Sequence, residues 1–517
     1  MGRMGVDLLL FLFLNMLTGI TSQNTENLTI IVNGSKTIAE TDDNFVCATL
    51  DWWPPEKCNY NQCPWGQASV LNLNLNHSTL AKAIKAFGSF RLRIGGSLQD
   101  QVDYGVGDLA QPCLPFEKKQ GGLFGFSNGC LSMKRWDDLN LFFEKTGVIV
   151  TFGLNALKGR QQKKKGVWGG RWNYSNAFDF IQYTVSQGYP VDSWEFGNEL
   201  SGHGIGASVD AKQYGKDLIA LKSMLDELYN NSSPQSLILA PGGFFDQSWY
   251  AHLLQFSGDR IVNGMTHHIY NLGPGDDPHI ASKILDPKYL DQIANTFINL
   301  QLTIEKYGPW SSPWVGEAGG AYNSGSQQVS NKFLNSFWYM DQLGMASKYN
   351  TQVYCRQTLI GGNYGLLDTN TFMPNPDYYS TLLWHRLMGI DVLSVRVNGS
   401  PYLRAYAHCS KDNTGITILL INLSNSTQFN VTVQNDVGEY KTRILEKSAN
   451  QQEYHLTAEN NNYLNQTILL NGSPLELTGD GDIPSLDPIF VGDSPVSVGP
   501  LSIVFVVMPD FDTSTCN

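Results

Sequence analysis

Charge is scarce in this sequence: Asp, Glu, Lys and Arg together make up 16% of 517 residues, against 42% hydrophobic. So apolar a chain has material for a large core, which excludes a disordered, coiled-coil or collagen-like molecule. Positive charge is scarcer still. The 35 Lys and Arg are outnumbered by 47 Asp and Glu, a net charge of −12. An acidic surface repels nucleic acid and anionic membrane, which are held by Lys and Arg on phosphates. No stretch reaches the ~20 apolar residues that span a bilayer, and Val504-Phe505-Val506-Val507 is only strand-sized. There is no Cys-x₂-Cys pair, and His267 and His268 are adjacent, so on a strand they point to opposite faces and suggest no metal site. Gly95-Gly96 and Gly242-Gly243 stand outside any G-x-G-x-x-G, which removes the signal for a dinucleotide. No cofactor is expected.

What is present begins with a targeting pattern. Arg3 precedes the apolar run Leu8 to Leu17, broken by Asn15 and followed by Thr18, Gly19, Thr21 and Ser22. That order predicts a signal peptide over 1–22, and a destination in the secretory pathway, either extracellular (cell wall) or vacuolar. Twelve Asn-x-Ser/Thr sequons agree, at Asn27, Asn33, Asn76, Asn173, Asn230, Asn231, Asn398, Asn422, Asn425, Asn430, Asn465 and Asn471. So does an even count of eight cysteines. Cys58 and Cys63 bracket a short polar loop, Cys113 and Cys130 a Gly-rich one, while Cys355 lies in a strand-like run and reads as a buried thiol.

From residue 44 to 390 the chain alternates. Strand-like runs are Phe45–Leu50, Phe90–Ile94, Val148–Phe152, Asp192–Phe196, Leu237–Ala240, Val262–His267, Pro313–Gly316 and Gln352–Leu359. Helical periodicity appears between them, as in Leu80–Phe87, Trp136–Phe143, Ala177–Val185, Tyr214–Leu228, Ile293–Tyr307 and Phe333–Leu343. Eight strands with interposed helices predict a (β/α)₈ barrel. After 390 the helical period vanishes. Short strands such as Ile416–Asn422, Gln428–Val433, Gln466–Leu470 and Leu501–Met508, punctuated by Asn, Ser, Gly and Pro, predict an all-β sandwich over 391–517. The segment 23–43 has strand character and is expected to join it. The basic run Lys163-Lys164-Lys165 reads as a solvated loop.

A barrel carries its chemistry at the C-terminal ends of its strands. The fourth strand ends in Glu195-Phe196-Gly197-Asn198-Glu199 and the seventh in Gly316-Glu317-Ala318-Gly319-Gly320. Each delivers a carboxylate beside glycine at the mouth. Two carboxylates across a barrel mouth are the equipment of glycoside hydrolysis, one protonated to release the leaving oxygen and one ionised to attack the anomeric carbon. Negative charge at Glu317 is expected to raise the proton affinity of Glu199. Glu195 lies deeper and reads as a structural carboxylate of the barrel interior.

At these residues the chain resembles the heparanase-like β-glucuronidases of glycoside hydrolase family 79, its plant members in particular. The resemblance runs from about Phe45 to the C-terminus. It is carried by Leu92-Arg93-Ile94-Gly95-Gly96-Ser97, Thr151-Phe152-Gly153-Leu154-Asn155-Ala156-Leu157, Asn198-Glu199, His267-His268-Ile269-Tyr270, Gly316-Glu317 and Gly362-Asn363-Tyr364. It implies Glu199 as acid/base and Glu317 as nucleophile of a retaining exo-β-glucuronidase. Asn198 would hold the sugar 2-hydroxyl, Tyr270 the nucleophile, and Asp51 other sugar hydroxyls. Tyr364 and the backbone of Asn323, Ser324 and Gly325 would surround the glucuronate carboxylate. Asn323 and Ser324 stand where animal members have consecutive glycines, and no Lys or Arg is assigned to this pocket.

Two departures bear on substrate. The stretch Gly242-Gly243-Phe244-Phe245-Asp246 has no basic residue, and Leu98 stands where the animal enzyme has Lys. These argue against a polysulfated glycan and for flavonoid or other small-molecule glucuronides, or glucuronate-capped arabinogalactan. The animal enzyme's long excised linker is also absent, which argues against maturation into two chains. A closure similar to one in the animal enzyme implies a Cys409–Cys516 disulfide. The alternatives are a catalytically silent glucuronide-binding glycoprotein and a retaining glycosidase for another sugar.

Overall fold

Eight strands close into a barrel in which every neighbour is parallel. They are β1 Val46–Asp51, β2 Phe90–Gly95, β3 Val148–Leu154, β4 Ser193–Phe196, β5 Leu237–Gly243, β6 Gly264–Ile269, β7 Ser312–Ala318 and β8 Val353–Arg356. The computed structural model describes residues 24–109, 112–229, 235–412, 414–436, 442–443, 450–492 and 495–516. The expected signal peptide over 1–22 and the sequons at Asn230 and Asn231 lie outside them. β1 and β2 are buried at every position, because parallel barrel strands are covered on both faces; this is why they read as near-continuous apolar runs.

Two strands differ from the sequence reading. The sixth begins at Gly264 rather than Val262, since Asn263 belongs to the connection, where its N–H bonds Ile238 O and its carbonyl accepts from Ser312 N. The eighth stops at Arg356 rather than Leu359. Lys163 and Lys164 lie in Gln161–Lys164, which pairs with Val167–Gly169 as a short exposed hairpin rather than a loop. Four described α-helices were not singled out by periodicity, the short Ile280–Ile284 and Pro287–Asp291 and two longer ones. Gln247–Ser257 is started by Asp246, whose side chain accepts from Trp249 N, and Pro376–Leu387 carries Pro in its first turn.

The C-terminal part is built on a continuous twelve-stranded sheet. Asn24–Glu40 lies inside it, antiparallel to Met388–Asn398 and parallel to Thr427–Asp436. Its central strands Ile416–Asn422 and Ser502–Met508 are buried on both faces. Ile416, Ile418, Leu420, Val504 and Val506 fill the interior of the β domain, while Leu419, Ile421, Ile503, Phe505 and Val507 continue the core of the barrel. The helix Phe333–Lys348 lies at this junction and is buried almost all round, which its near-uniform apolar face allows. Its buried Asp341 accepts from Arg404 Nε at 2.8 Å and Tyr406 Oη at 2.6 Å, tying barrel to sheet. No described helix is long and apolar enough to cross a membrane.

All eight cysteines pair, as Cys47–Cys355, Cys58–Cys63, Cys113–Cys130 and Cys409–Cys516. The reading of Cys355 as a buried thiol is therefore corrected. It is the register partner of Cys47 on the neighbouring barrel strand, a proximity hidden by 308 residues of sequence. The sequon at Asn422 is also excluded as a glycan site. Its side chain is buried and donates to the carbonyls of Thr427, Val498 and Gly499.

Candidate active site

The mouth of the barrel opens into a cavity of about 430 Å³ lined by Asp51, Glu199, Tyr270, Glu317, Asn323, Ser324 and Tyr364, together with Trp53, Lys57, Phe124 and Phe244. Glu199, at the end of β4, and Glu317, in β7, each present a carboxylate oxygen within 4.8 Å of the other. Glu199 adopts φ 54° just after Gly197 at φ 73°, a left-handed turn that swings its side chain off the strand; a non-glycine residue there is a strained conformation of the kind found at functional sites. Irregular register between β6 and β7 brings His268 opposite Glu317.

The two carboxyl groups have different surroundings. Glu317 is ion-paired through Oε2 with Arg93 Nη1 at 2.9 Å, and its Oε1 accepts from the Tyr270 hydroxyl. Glu199 has no cationic side chain in contact. Its Oε1 shares a 3.0 Å hydrogen bond with His268 Nδ1, and burial pushes its pKa up to about 7, against a smaller opposing pull from Arg93. The cause is therefore desolvation, not the negative charge of Glu317 that the sequence suggested. Burial likewise holds His268 down to about 4, so the imidazole is neutral and cannot supply positive charge to Glu199.

Arg93 is the residue sequence reasoning missed. Besides Glu317 it binds Glu195 through Nε at 2.5 Å and Asn198 Oδ1 through Nη2 at 2.9 Å, so it fixes the barrel-interior carboxylate, the nucleophile candidate and the neighbouring amide in one plane of donors. The signal was there in Phe90-Arg91-Leu92-Arg93-Ile94, where alternate positions of a strand carry Arg into a barrel that must then supply buried carboxylates. Removing Arg93 strands Glu195, which is fully buried. The variant Arg93→Met is expected to lose about 3–5 kcal/mol of stability, measured by denaturant unfolding; a loss under 1 kcal/mol would show that Glu195 tolerates isolation.

Asn198 and Gly325 do not line the cavity. Asn198 sits just behind it, its N–H held by Asp100 Oδ2 at 2.9 Å and its side-chain N–H₂ donating to no group among the described residues. Asp51 lines the floor. Its Oδ1 accepts from Trp52 N at 2.7 Å and its Oδ2 from Gln357 Nε2 at 3.0 Å, and burial with the charge of Glu317 raises its pKa to about 7. A side chain at Gly96, whose φ is +107°, would overlap the Asp51 carboxylate at 2.5 Å. Tyr364 is wedged between Gly319, Gly325 and Gly362, at each of which an added Cβ would come within 3.1 Å of the ring. Its hydroxyl has only a long 3.4 Å contact with Gln357 Nε2.

Asn323, Ser324 and Gly325 all have positive φ, at 58°, 73° and 76°. The two residues that replace glycines thus keep the glycine-like backbone, and their side chains explain how. Asn323 Nδ2 donates to Tyr60 Oη, and Ser324 Oγ bonds both Trp65 Nε1 and Asn59 Oδ1. None of the three backbone N–H groups donates to an acceptor among the described residues. Lys57, in the loop after β1, also lines the cavity and was not assigned to it from the sequence; a loop position between Glu56 and Cys58 carries no periodicity that could have signalled it. Glu199, His268 and Glu317 also meet the spacing of a metal site, but Arg93 and Tyr270 already occupy both oxygens of Glu317.

Residues 27–344 match the family described as glycosyl hydrolase family 79, N-terminal domain. Heparanase-like protein 2 of Arabidopsis thaliana is 56% identical, with 99% of this chain and 100% of that protein covered. The baicalin-beta-D-glucuronidase of Scutellaria baicalensis is 40% identical over 94% of this chain and 93% of its own. Among solved structures, a 4-O-alpha-L-rhamnosyl-beta-D-glucuronidase of Fusarium oxysporum superposes with TM-score 0.64 at 16% identity, covering 93% and 100%, a likeness of fold alone.

Proposed function

This chain belongs to glycosyl hydrolase family 79, and from that premise we propose that it is an exo-acting, retaining β-glucuronidase. The observation that carries the reading is the pair Glu199 and Glu317, with oxygens within 4.8 Å and opposite surroundings. Retaining glycosidases hold their carboxyl groups about 5–5.5 Å apart, and inverting ones about 6.5–9.5 Å to admit a water.

In the first step Glu317 attacks the anomeric carbon while Glu199 passes its proton to the departing oxygen, leaving a glycosyl ester on Glu317 and a free aglycone. In the second, Glu199 takes a proton from a water whose oxygen attacks the anomeric carbon from the face the aglycone left, and the Glu317 carboxylate departs from the opposite face. Arg93 holds Glu317 in place through both steps, and the side-chain N–H₂ of Asn198 is available for the 2-hydroxyl. Asp51 binds hydroxyls at the floor. Tyr364 and the amides of Asn323, Ser324 and Gly325 receive the C5 carboxylate.

The leaving group must lie beside the acid. That side of the cavity carries Ile205 and Phe244, 44% and 39% exposed, which supports an uncharged, flat aglycone such as a flavonoid over a sulfated glycan. A glucuronate-capped arabinogalactan remains the second substrate to screen. Four disulfides support a secretory location, extracellular or vacuolar.

Hydrolysis of matched aryl β-glucuronide and β-glucoside, with the first-formed anomer followed by NMR, tests the proposal; release of the α-anomer or no turnover overturns it. Unpaired donors at a neutral hydroxymethyl cost about 1–3 kcal/mol each, so Tyr364→Phe is expected to slow the glucuronide tenfold or so and the glucoside much less. Equal slowing would mean that the tyrosine only packs.

A further inference from the structure

Two cations lie near the barrel mouth, and their situations differ: Lys57 lines the cavity and Arg93 does not. Arg93 is 1% exposed at its side chain and is bound to two carboxylates, Glu195 and Glu317, so its charge is neutralised within the protein. Lys57 lines the same cavity with its ammonium 4.1 Å from the centre of the Trp53 ring. Among the described residues no carboxylate lies within ion-pair distance of it; the one acid that acts on it is Asp51, through space. A partly buried ammonium resting on an indole, in an otherwise acidic pocket, is a charge kept for something the protein does not itself contain.

The loop that carries it is built against the carboxylate-reading segment. Lys57 precedes the Cys58–Cys63 disulfide, and three residues of this loop reach across: Asn59 accepts from Ser324 Oγ, Tyr60 from Asn323 Nδ2, and Trp65 donates to Ser324 Oγ. The free amides of Asn323 to Gly325 and the Lys57 ammonium are therefore held on one connected frame. Neutral amides favour an anion but bind neutral acceptors too; a cation beside them is what separates a carboxylate from a hydroxymethyl.

We propose that Lys57 is the specificity-determining residue for acidic sugars, its ammonium meeting the substrate carboxylate that the amides of residues 323–325 surround. This rests on the glucuronidase reading and deepens it. The test is steady-state kinetics of the full chain on 4-nitrophenyl β-glucuronide and β-glucoside, with Lys57→Met and Lys57→Arg beside the wild type. A hydrogen bond to a charged partner is worth a factor of roughly 10–100. Lys57→Met is expected to raise KM for the glucuronide by at least about tenfold, with kcat and the glucoside changed little, while Lys57→Arg keeps most of the preference.

An unchanged glucuronide-to-glucoside ratio in Lys57→Met, when the wild type prefers glucuronide, overturns the role of Lys57 and leaves the glucuronidase reading standing. A wild type that prefers the glucoside overturns both. If neither is cleaved, binding of free D-glucuronate by calorimetry decides: loss of binding in Lys57→Met supports the proposal, and equal binding refutes it. Equal melting temperatures of the two proteins exclude a fold defect as the cause.

Discussion

Glu317→Gln is expected to reduce kcat on aryl β-glucuronides by a factor on the order of 10⁴ or more, with folding intact. Glutamine keeps the shape, and of the two groups now held by the carboxylate, Arg93 can still donate to its single carbonyl oxygen while its N–H₂ turns to the Tyr270 hydroxyl. What it lacks is the anionic oxygen that forms the glycosyl ester. No other described carboxylate can take over. Glu195 lies deeper and is bound to Arg93, and Glu199 is committed to the leaving group. Mass spectrometry with a 2-fluoro glucuronide that carries a good leaving group, so that the glycosyl ester forms faster than it hydrolyses, should find the label on the peptide that contains Glu317 in the wild type. A label on another peptide would move the nucleophile elsewhere.

Glu199→Gln should behave differently, because its importance depends on the leaving group. For a poor leaving group such as an alkyl glucuronide the loss is expected to be on the order of 10²–10⁴-fold, and for an activated nitrophenyl glucuronide much smaller in the first step. The pH profile adds a second, independent readout. An acid must be protonated to act, and burial sets the Glu199 pKa at about 7. Wild-type kcat/KM is therefore expected to fall as pH rises through about 7, and this basic limb should vanish in Glu199→Gln. A limb that persists in the variant would assign it to another group, with Asp51, also about 7, the first to test.

The barrel was legible because its signals are local and repeated. Each strand is a short apolar run, and each pair of strands is separated by a helix, so the architecture follows from periodicity alone. Glu199 and Glu317 were legible for a related reason: a carboxylate beside glycine at a strand exit is conspicuous in a fold whose chemistry sits there. Arg93, Lys57 and the Cys47–Cys355 bridge were not read. Their meaning is relational, set by what lies across the barrel or in another loop. The rise in the Glu199 pKa was expected, but from the wrong source. Sequence shows that two acids converge; it does not show that Arg93 pairs with Glu317 and not with Glu199, or that His268 beside Glu199 stays neutral. Lys57 went unassigned for a similar reason, since its place at the cavity depends on a loop that folds over residues 323–324.

The disulfides also determine how the chain responds to being cut. Cys47–Cys355 and Cys409–Cys516 enclose two separate covalent rings. A single peptide-bond cleavage inside either ring opens it without releasing a fragment, so a nicked molecule migrates as one piece until reductant is added. Between the rings, residues 356–408 form a bridge with no such protection, and one cut there parts the two halves of the chain. That bridge carries Tyr364 and the helix Pro376–Leu387, most of it buried. Its exposed turn at residues 398–402 is where one protease cut would part the molecule without reductant.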